Sequence, residues 1–187
     1  MLANEEYKKV YPDCPTIIRN VTIGGQTKLQ LIQALQDSSI LLNKYGELLL
    51  ADDRLIVSST AYRLKTVELA VSNLGIPNGG TTPEILHKAT ELGLHICPLE
   101  LGPYLRLFYL EQPEVAADTG KTHQAPTGSV TVASEPLTED DEFPKGFYLR
   151  KMDGKLWLRG YIADNLHIWN PDDRFIFVLS KEVDDHS

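Results

Sequence analysis

Five side chains on two neighbouring stretches of the chain could do binding chemistry. Tyr148 and Arg150 stand two apart, and Trp157, Arg159 and Tyr161 follow with the same spacing. A period of two sends alternate side chains to one side of a β-strand. Aromatic faces can stack a planar ligand or a base, while guanidinium groups hold phosphate or carboxylate through paired N–H donors. Tyr148, Arg150, Trp157, Arg159 and Tyr161 are therefore the candidate ligand-binding set. Packing alone offers another account of the pattern, with an arginine stacked on a cross-strand tryptophan or the face roofed over by helices.

His167 is the candidate catalytic residue. It follows the paired stretches in a segment with Asp164, Asn165, Trp169, Asp172 and Asp173. A histidine beside carboxylates and arginines can act as a general base in phosphodiester or glycosyl chemistry. Asn and Asp also populate loops because they make local turns, and Asn170-Pro171-Asp172 is an ordinary turn signature. Catalysis thus requires the fold to bring His167 into a cleft with the arginines.

The remaining motifs carry less. Gly120-Lys121-Thr122 ends like a phosphate loop, but Val115 stands where that loop needs a glycine. Asn78-Gly79-Gly80 could present backbone N–H groups to an anion, although a turn and a helix cap account for it. Cys14, His95 and Cys97 offer three zinc ligands without a C-x₂-C pair or a fourth member, so no metal is expected. The run Glu139-Asp140-Asp141-Glu142 lacks the spaced ligands and glycine of a calcium loop and reads as a solvated connection. His87 and His123 have no distinguishing neighbours. Neither G-x-S-x-G nor H-E-x-x-H occurs, and no cofactor is expected.

The element that must position the aromatic–basic set is a hairpin. Asp153-Gly154 between two strand-like runs is a strong turn signal, and a two-residue turn pairs Met152 with Lys155. The register then sets Arg150 opposite Trp157, Leu149 opposite Leu158 and Tyr148 opposite Arg159. Phe147, Leu149, Leu156, Leu158 and Ile162 fall together on the opposite, apolar face.

Upstream, Thr16 to Ile23 reads as an edge strand closed by Gly24-Gly25. Thr27 and Gln30 form a capping box for a helix from Lys28 to about Asp37, with Leu31 and Leu35 inward. Ser39 is expected to cap a second helix carrying Leu41, Leu42, Tyr45, Leu48 and Leu49. Thr66 to Ser72 alternates as a half-buried strand, although a helical stripe through Leu64, Val67, Val71 and Leu74 is also possible. Thr82-Pro83-Glu84 starts a helix with Thr82 as its cap, Glu84 paired to Lys88, and Gly93 as its stop. Leu105 to Leu110 reads as an internal strand, Val130 and Val132 begin another, and Arg174 to Leu179 belongs mid-sheet. Residues 112–128 show no periodicity and read as a mobile loop.

The expected fold is α+β, with a helical N-terminal half packed on an antiparallel β-sheet formed by the C-terminal half. Its divisions would be a flexible arm over 1–15 and one domain over 16–187, helix-rich in 27–104 and β-rich in 105–180. At 187 residues the chain is long enough for a self-sufficient core. The net charge of −8 opposes bulk attraction to nucleic acid or an anionic membrane. The start lacks the apolar run of a secretory signal, and two cysteines are too few for a disulfide framework, so a cytoplasmic setting with free thiols is expected.

Four segments carry a resemblance: Val67-Glu-Leu-Ala-Val-Ser-Asn-Leu-Gly-Ile-Pro, Thr81-Thr-Pro-Glu-Ile, Cys97-Pro-Leu-Glu-Leu-Gly-Pro and Trp169-Asn-Pro-Asp-Asp-Arg-Phe. Across residues 20–180 the chain resembles a group of small bacterial proteins of unassigned function. The resemblance implies a bacterial origin and a cytosolic setting, and transfers no site. Function is therefore expected from the aromatic–basic face: a binding or interaction protein for an anionic or aromatic small ligand or a protein partner. The alternatives are an enzyme acting on a phosphorylated or nucleotide-like substrate through His167 and Arg159, and a homo-oligomer joined through the same face.

Overall fold

The computed structural model describes residues 9–115 and 125–182. In chain order the elements are β1 (Ile17–Ile23), α1 (Lys28–Asp37), β2 (Leu41–Leu42), α2 (Lys44–Ala51), β3 (Tyr62–Ala70), a 3-10 turn (Val71–Leu74), β4 (Gly80–Thr81), α3 (Thr82–Glu91), α4 (Leu101–Phe108), β5 (Val130–Val132), β6 (Gly146–Met152), β7 (Lys155–Tyr161), β8 (Ile168–Trp169) and β9 (Arg174–Glu182). Seven strands form one sheet in the order β1-β3-β9-β5-β6-β7-β2, and β4 pairs with β8 apart from it. Within the sheet β9–β5 and β7–β2 are parallel and the other pairings antiparallel.

This overturns the expected division into a helical half and an antiparallel half. The sheet is mixed, and the N-terminal half supplies three of its strands, with β3 running alongside the last strand from Ala70↔Arg174 to Arg63↔Glu182. The polar side of β3 is buried instead of wet because each polar group there has a partner. Thr66 donates to the Arg19 carbonyl at 2.9 Å, and the Glu68 carboxylate receives Arg19 at 2.6 Å and Arg174 at 2.7 Å.

Further local expectations are corrected. Leu105 to Leu110 is not a strand: Leu101–Phe108 is helical and Leu101 to Arg106 are buried. An apolar run buried all round has no periodicity to separate helix from strand. Ser39 caps no helix. It takes a positive φ of 57°, Leu41–Leu42 pairs with β7, and Asn43 caps α2 by accepting from Gly46 N at 2.8 Å. The cap of α3 moves by one residue to Thr81, which forms a capping box with Glu84; Glu84 is thus engaged at the cap, and Lys88 pairs with Glu91 at 3.2 Å. The helix α1, its Thr27–Gln30 capping box and its inward Leu31 and Leu35 match the sequence reading.

The sheet is packed on both faces. One core joins Leu31 and Leu35 of α1, Leu49 and Leu50 of α2, and Leu101 and Leu105 of α4 to Leu149, Leu158, Ile176 and Val178. The other joins Ile85 and Ala89 of α3 to Val67, Leu69, Phe175, Phe177 and Trp169. Alternation along β9 feeds both cores, as its sequence implied: Phe175 and Phe177 to one, Ile176 and Val178 to the other. In the segment before β1, Tyr11 N donates to the Asn73 carbonyl at 2.8 Å and Cys14 is buried. Residues 116–124, with Gly120-Lys121-Thr122 and His123, lie outside the described residues. On either side, the buried Gln112 amide donates to the carbonyls of Gly128 at 3.1 Å and Leu149 at 3.0 Å.

Candidate functional site: a cleft on the outer face of the hairpin

The hairpin forms in the expected register, with Met152↔Lys155, Arg150↔Trp157, Leu149↔Leu158 and Tyr148↔Arg159. Asp153 and Gly154 both take positive φ, 53° and 74°, as a two-residue turn of this twist requires. The Glu114 carboxylate holds the turn by accepting from Asp153 N at 2.6 Å and Gly154 N at 3.0 Å. Leu149 and Leu158 enter the core under α1, α2 and α4, so Tyr148, Arg159 and Tyr161 are turned away from those helices.

There they line a cleft of about 490 Å³. Its far wall comes from the loop after β7, which brings Asp164, His167 and Trp169, and its rim from Asn43 and Tyr45 at the start of α2 and from Ser129, Thr131 and Asp141. His167 and Arg159, close in sequence, therefore open onto one cavity. Arg150 and Trp157 do not line it. They form the next rung toward the turn, about 7 Å along the strand, and both are half-buried.

Arg159 is held by an aromatic cradle. Its Nε donates to the Tyr148 hydroxyl at 2.8 Å, and its guanidinium carbon lies 5.0 Å from the Trp157 ring centroid and 5.9 Å from that of Tyr148. Among the described residues it has no carboxylate partner within ion-pair distance. A guanidinium fixed by a neutral hydroxyl and two rings keeps its charge and its remaining N–H donors for a ligand.

The opposite wall is a chain of edge-on rings. Trp169 meets Tyr161 at 5.6 Å and 86°, His167 at 4.9 Å and 87°, and Phe175 at 4.9 Å and 78°. Its Nε1 donates to the Thr82 hydroxyl at 2.8 Å, which ties the wall to the first turn of α3. Thr82 is free to do this because Thr81 is the cap. Burial pushes the Tyr161 hydroxyl well above its ordinary range, so it remains a neutral phenol. Tyr161, Asp141, Ala163 and Asp164 also border an adjoining cavity of about 530 Å³ that reaches Ser134 and Lys145.

Asn43 is the residue that sequence reasoning missed. Its Oδ1 accepts from Gly46 N and from Gly160 N, both at 2.8 Å, and its Nδ2 donates to the Gly160 carbonyl at 2.9 Å. One amide thus caps α2 and clamps the backbone between Arg159 and Tyr161. Asparagine before Lys44 carried a capping signal, overshadowed by the apolar spacing that begins at Leu41. Asp141, read only as part of a solvated acidic connection, and Ser129 and Thr131, which carried no signal of a site, come to the cleft through tertiary pairing.

Cys14 and Cys97 are both free and buried, and the Cys97 thiol donates to the Ile176 carbonyl at 3.3 Å. Among the described residues no group of three or more His, Cys, Asp or Glu converges on a common point, and no helix is long and apolar enough to cross a membrane. No family model, curated protein or solved structure matches the chain.

Proposed function

We propose that this protein binds a small planar ligand bearing an acidic group, seated in the cleft between the outer face of the hairpin and the 164–169 loop. The observation that carries this reading is Arg159, a guanidinium with no carboxylate partner among the described residues, held in an aromatic cradle at the wall of a cavity of about 490 Å³. That volume lies within the range of small-molecule sites, which combine apolar walls with a few placed polar groups. Tyr148 and Tyr161 supply ring faces and edges, Arg159 the counter-charge, and Asp141 and Asp164 accept from any amino or hydroxyl group on the ligand.

The test is a fluorescence titration of the full chain with 4-hydroxybenzoate, p-nitrophenyl phosphate and AMP, using Trp169 beside the cleft as reporter. At least one probe should bind saturably, and Arg159→Ala should weaken it about tenfold by removing a charge-assisted contact. Equal affinity in Arg159→Ala, with the fold intact by circular dichroism, would overturn the proposal.

A second reading is enzymatic, and its support is that His167 shares the cleft with Arg159. In it Arg159 holds a phosphate while the imidazole takes a proton from the attacking group. Turnover of p-nitrophenyl phosphate that His167→Ala abolishes while leaving probe affinity intact would favour it; binding without turnover would leave the non-enzymatic reading.

A further inference from the structure

A second cavity lies on the α1–α4 side of the sheet, where β3, β9 and the 95–99 segment meet, and it shares no lining residue with the first. Its volume is about 700 Å³ and its walls are mostly apolar: Leu64, Ile96, Pro98, Leu99 and Val178. Cys97 is part of the wall and not a nucleophile, because its thiol is spent on the Ile176 carbonyl and burial pushes its pKa far up. Tyr62 is occupied as well. Its hydroxyl donates to Glu100 Oε1 at 2.7 Å, and the other oxygen of that buried carboxylate takes Ser58 N at 2.8 Å.

One cation is brought to this cavity by an irregularity in the sheet. The pairings Leu64↔Lys181, Lys65↔Ser180 and Thr66↔Val178 leave Leu179 unpaired, so β9 carries one extra residue at that point. In a regular strand Val178 and Lys181, three apart, would point to opposite faces. The bulge shifts the alternation by one and returns Lys181 to the face of Leu64 and Tyr62. Its ammonium then lies 4.4 Å from the Tyr62 ring centroid, with no carboxylate partner within ion-pair distance among the described residues. Glu135 is the one carboxylate among the lining residues and is exposed at the rim.

We propose that this cavity binds a medium-chain aliphatic carboxylate, with the tail along Leu64, Leu99 and Val178 and the head group at Lys181. The ligand class follows from the lining: apolar walls, the Tyr62 hydroxyl and Cys97 thiol already hydrogen-bonded, His95 and Ser180 exposed, and one lysine, without a carboxylate partner among the described residues, carried over the mouth by a bulge. The site is independent of the Arg159 cleft, so failure of one proposal leaves the other standing.

The experiment titrates the ¹⁵N-labelled full chain with sodium decanoate below its micellar range, and in parallel with decyltrimethylammonium, which has the same tail and the opposite head. Decanoate should give saturable shifts at the amides of residues 62–64, 95–99 and 178–181. Decyltrimethylammonium should bind at least about tenfold more weakly. Lys181→Glu alters an exposed side chain and should reverse that preference, while Arg159→Ala leaves it unchanged. Absence of saturable shifts at these amides, shifts confined to the Arg159 cleft, or equal affinity for the two head groups would each overturn the proposal.

Discussion

Removing the Asn43 amide should cost more than any ordinary helix cap, because one side chain satisfies two elements at once. Loss of the cap on α2 costs about 1 kcal/mol. The Gly160 N–H then loses its acceptor where the chain is closely packed: a Cβ added at Gly160 would stand 2.6 Å from the Tyr45 carbonyl carbon and 2.8 Å from Gly46 N. Water has little room to replace the amide, and a buried donor without a partner costs roughly 1–3 kcal/mol. Asn43→Ala should therefore destabilise by about 2–4 kcal/mol, or roughly 5–15 °C in Tm for a chain of this length. Thr27→Ala is the internal comparison. Its capping box on α1 is exposed and joins no other element, so it should lose only about 1 kcal/mol. Asn43→Asp keeps both acceptor roles but sets a carboxylate oxygen against the Gly160 carbonyl, and should fall between wild type and Asn43→Ala. Urea unfolding followed by circular dichroism and tryptophan fluorescence separates these values, with an unchanged slope showing that the two-state comparison holds. If Asn43→Ala costs no more than Thr27→Ala, the amide clamp on Gly160 contributes nothing and the reasoning fails.

Three other outcomes follow from the same geometry. Gly102→Ala would place a methyl 2.5 Å from the Phe147 ring in the core between α4 and β6, and should cost about 1–3 kcal/mol by overpacking, read from the urea midpoint. Gly154→Ala meets nothing within 4 Å, so only the positive φ of 74° opposes it; a loss near 1 kcal/mol is expected, and a larger one in thermal melts would show that the turn is packed. Stability should fall above pH 9, because burial raises the Cys97 thiol above its ordinary value of 9.0 while the unfolded chain ionises there. The protein gains this contribution below pH 9 and loses about 1.4 kcal/mol per pH unit above it. Cys97→Ala should make that stretch less steep, the Cys14 thiol, also raised by burial, keeping its own share, and a profile identical to wild type between pH 9 and 10 would refute the assignment. Arg106, lowered to about 10 by desolvation, acts with the opposite sign only above that value.

Local features could be read from the residues alone. Asp153-Gly154 allows left-handed backbone at two successive positions, so the turn, the register from Met152↔Lys155 to Tyr148↔Arg159 and the split of faces up to Tyr161 were legible without a fold, whereas Ile162, read with the apolar face, lies past the end of β7, is exposed and lines the cleft. The Thr27–Gln30 box did the same for α1, since both partners lie within one turn. Tertiary structure decided whatever depended on a distant partner. Leu101 to Arg106 could not be told from a strand, because a run buried on every side carries no period, and β3 lies inside the β1 edge with its polar side buried because Arg19 and Arg174, far away in the chain, neutralise Glu68. The parallel pairings β5–β9 and β2–β7 left no trace in either strand alone. The cleft belongs to this second kind: the spacing of Tyr148, Arg159 and Tyr161 announced a face, but the meeting of that face with Asn43, Asp141 and His167 arises where three separate segments close over it.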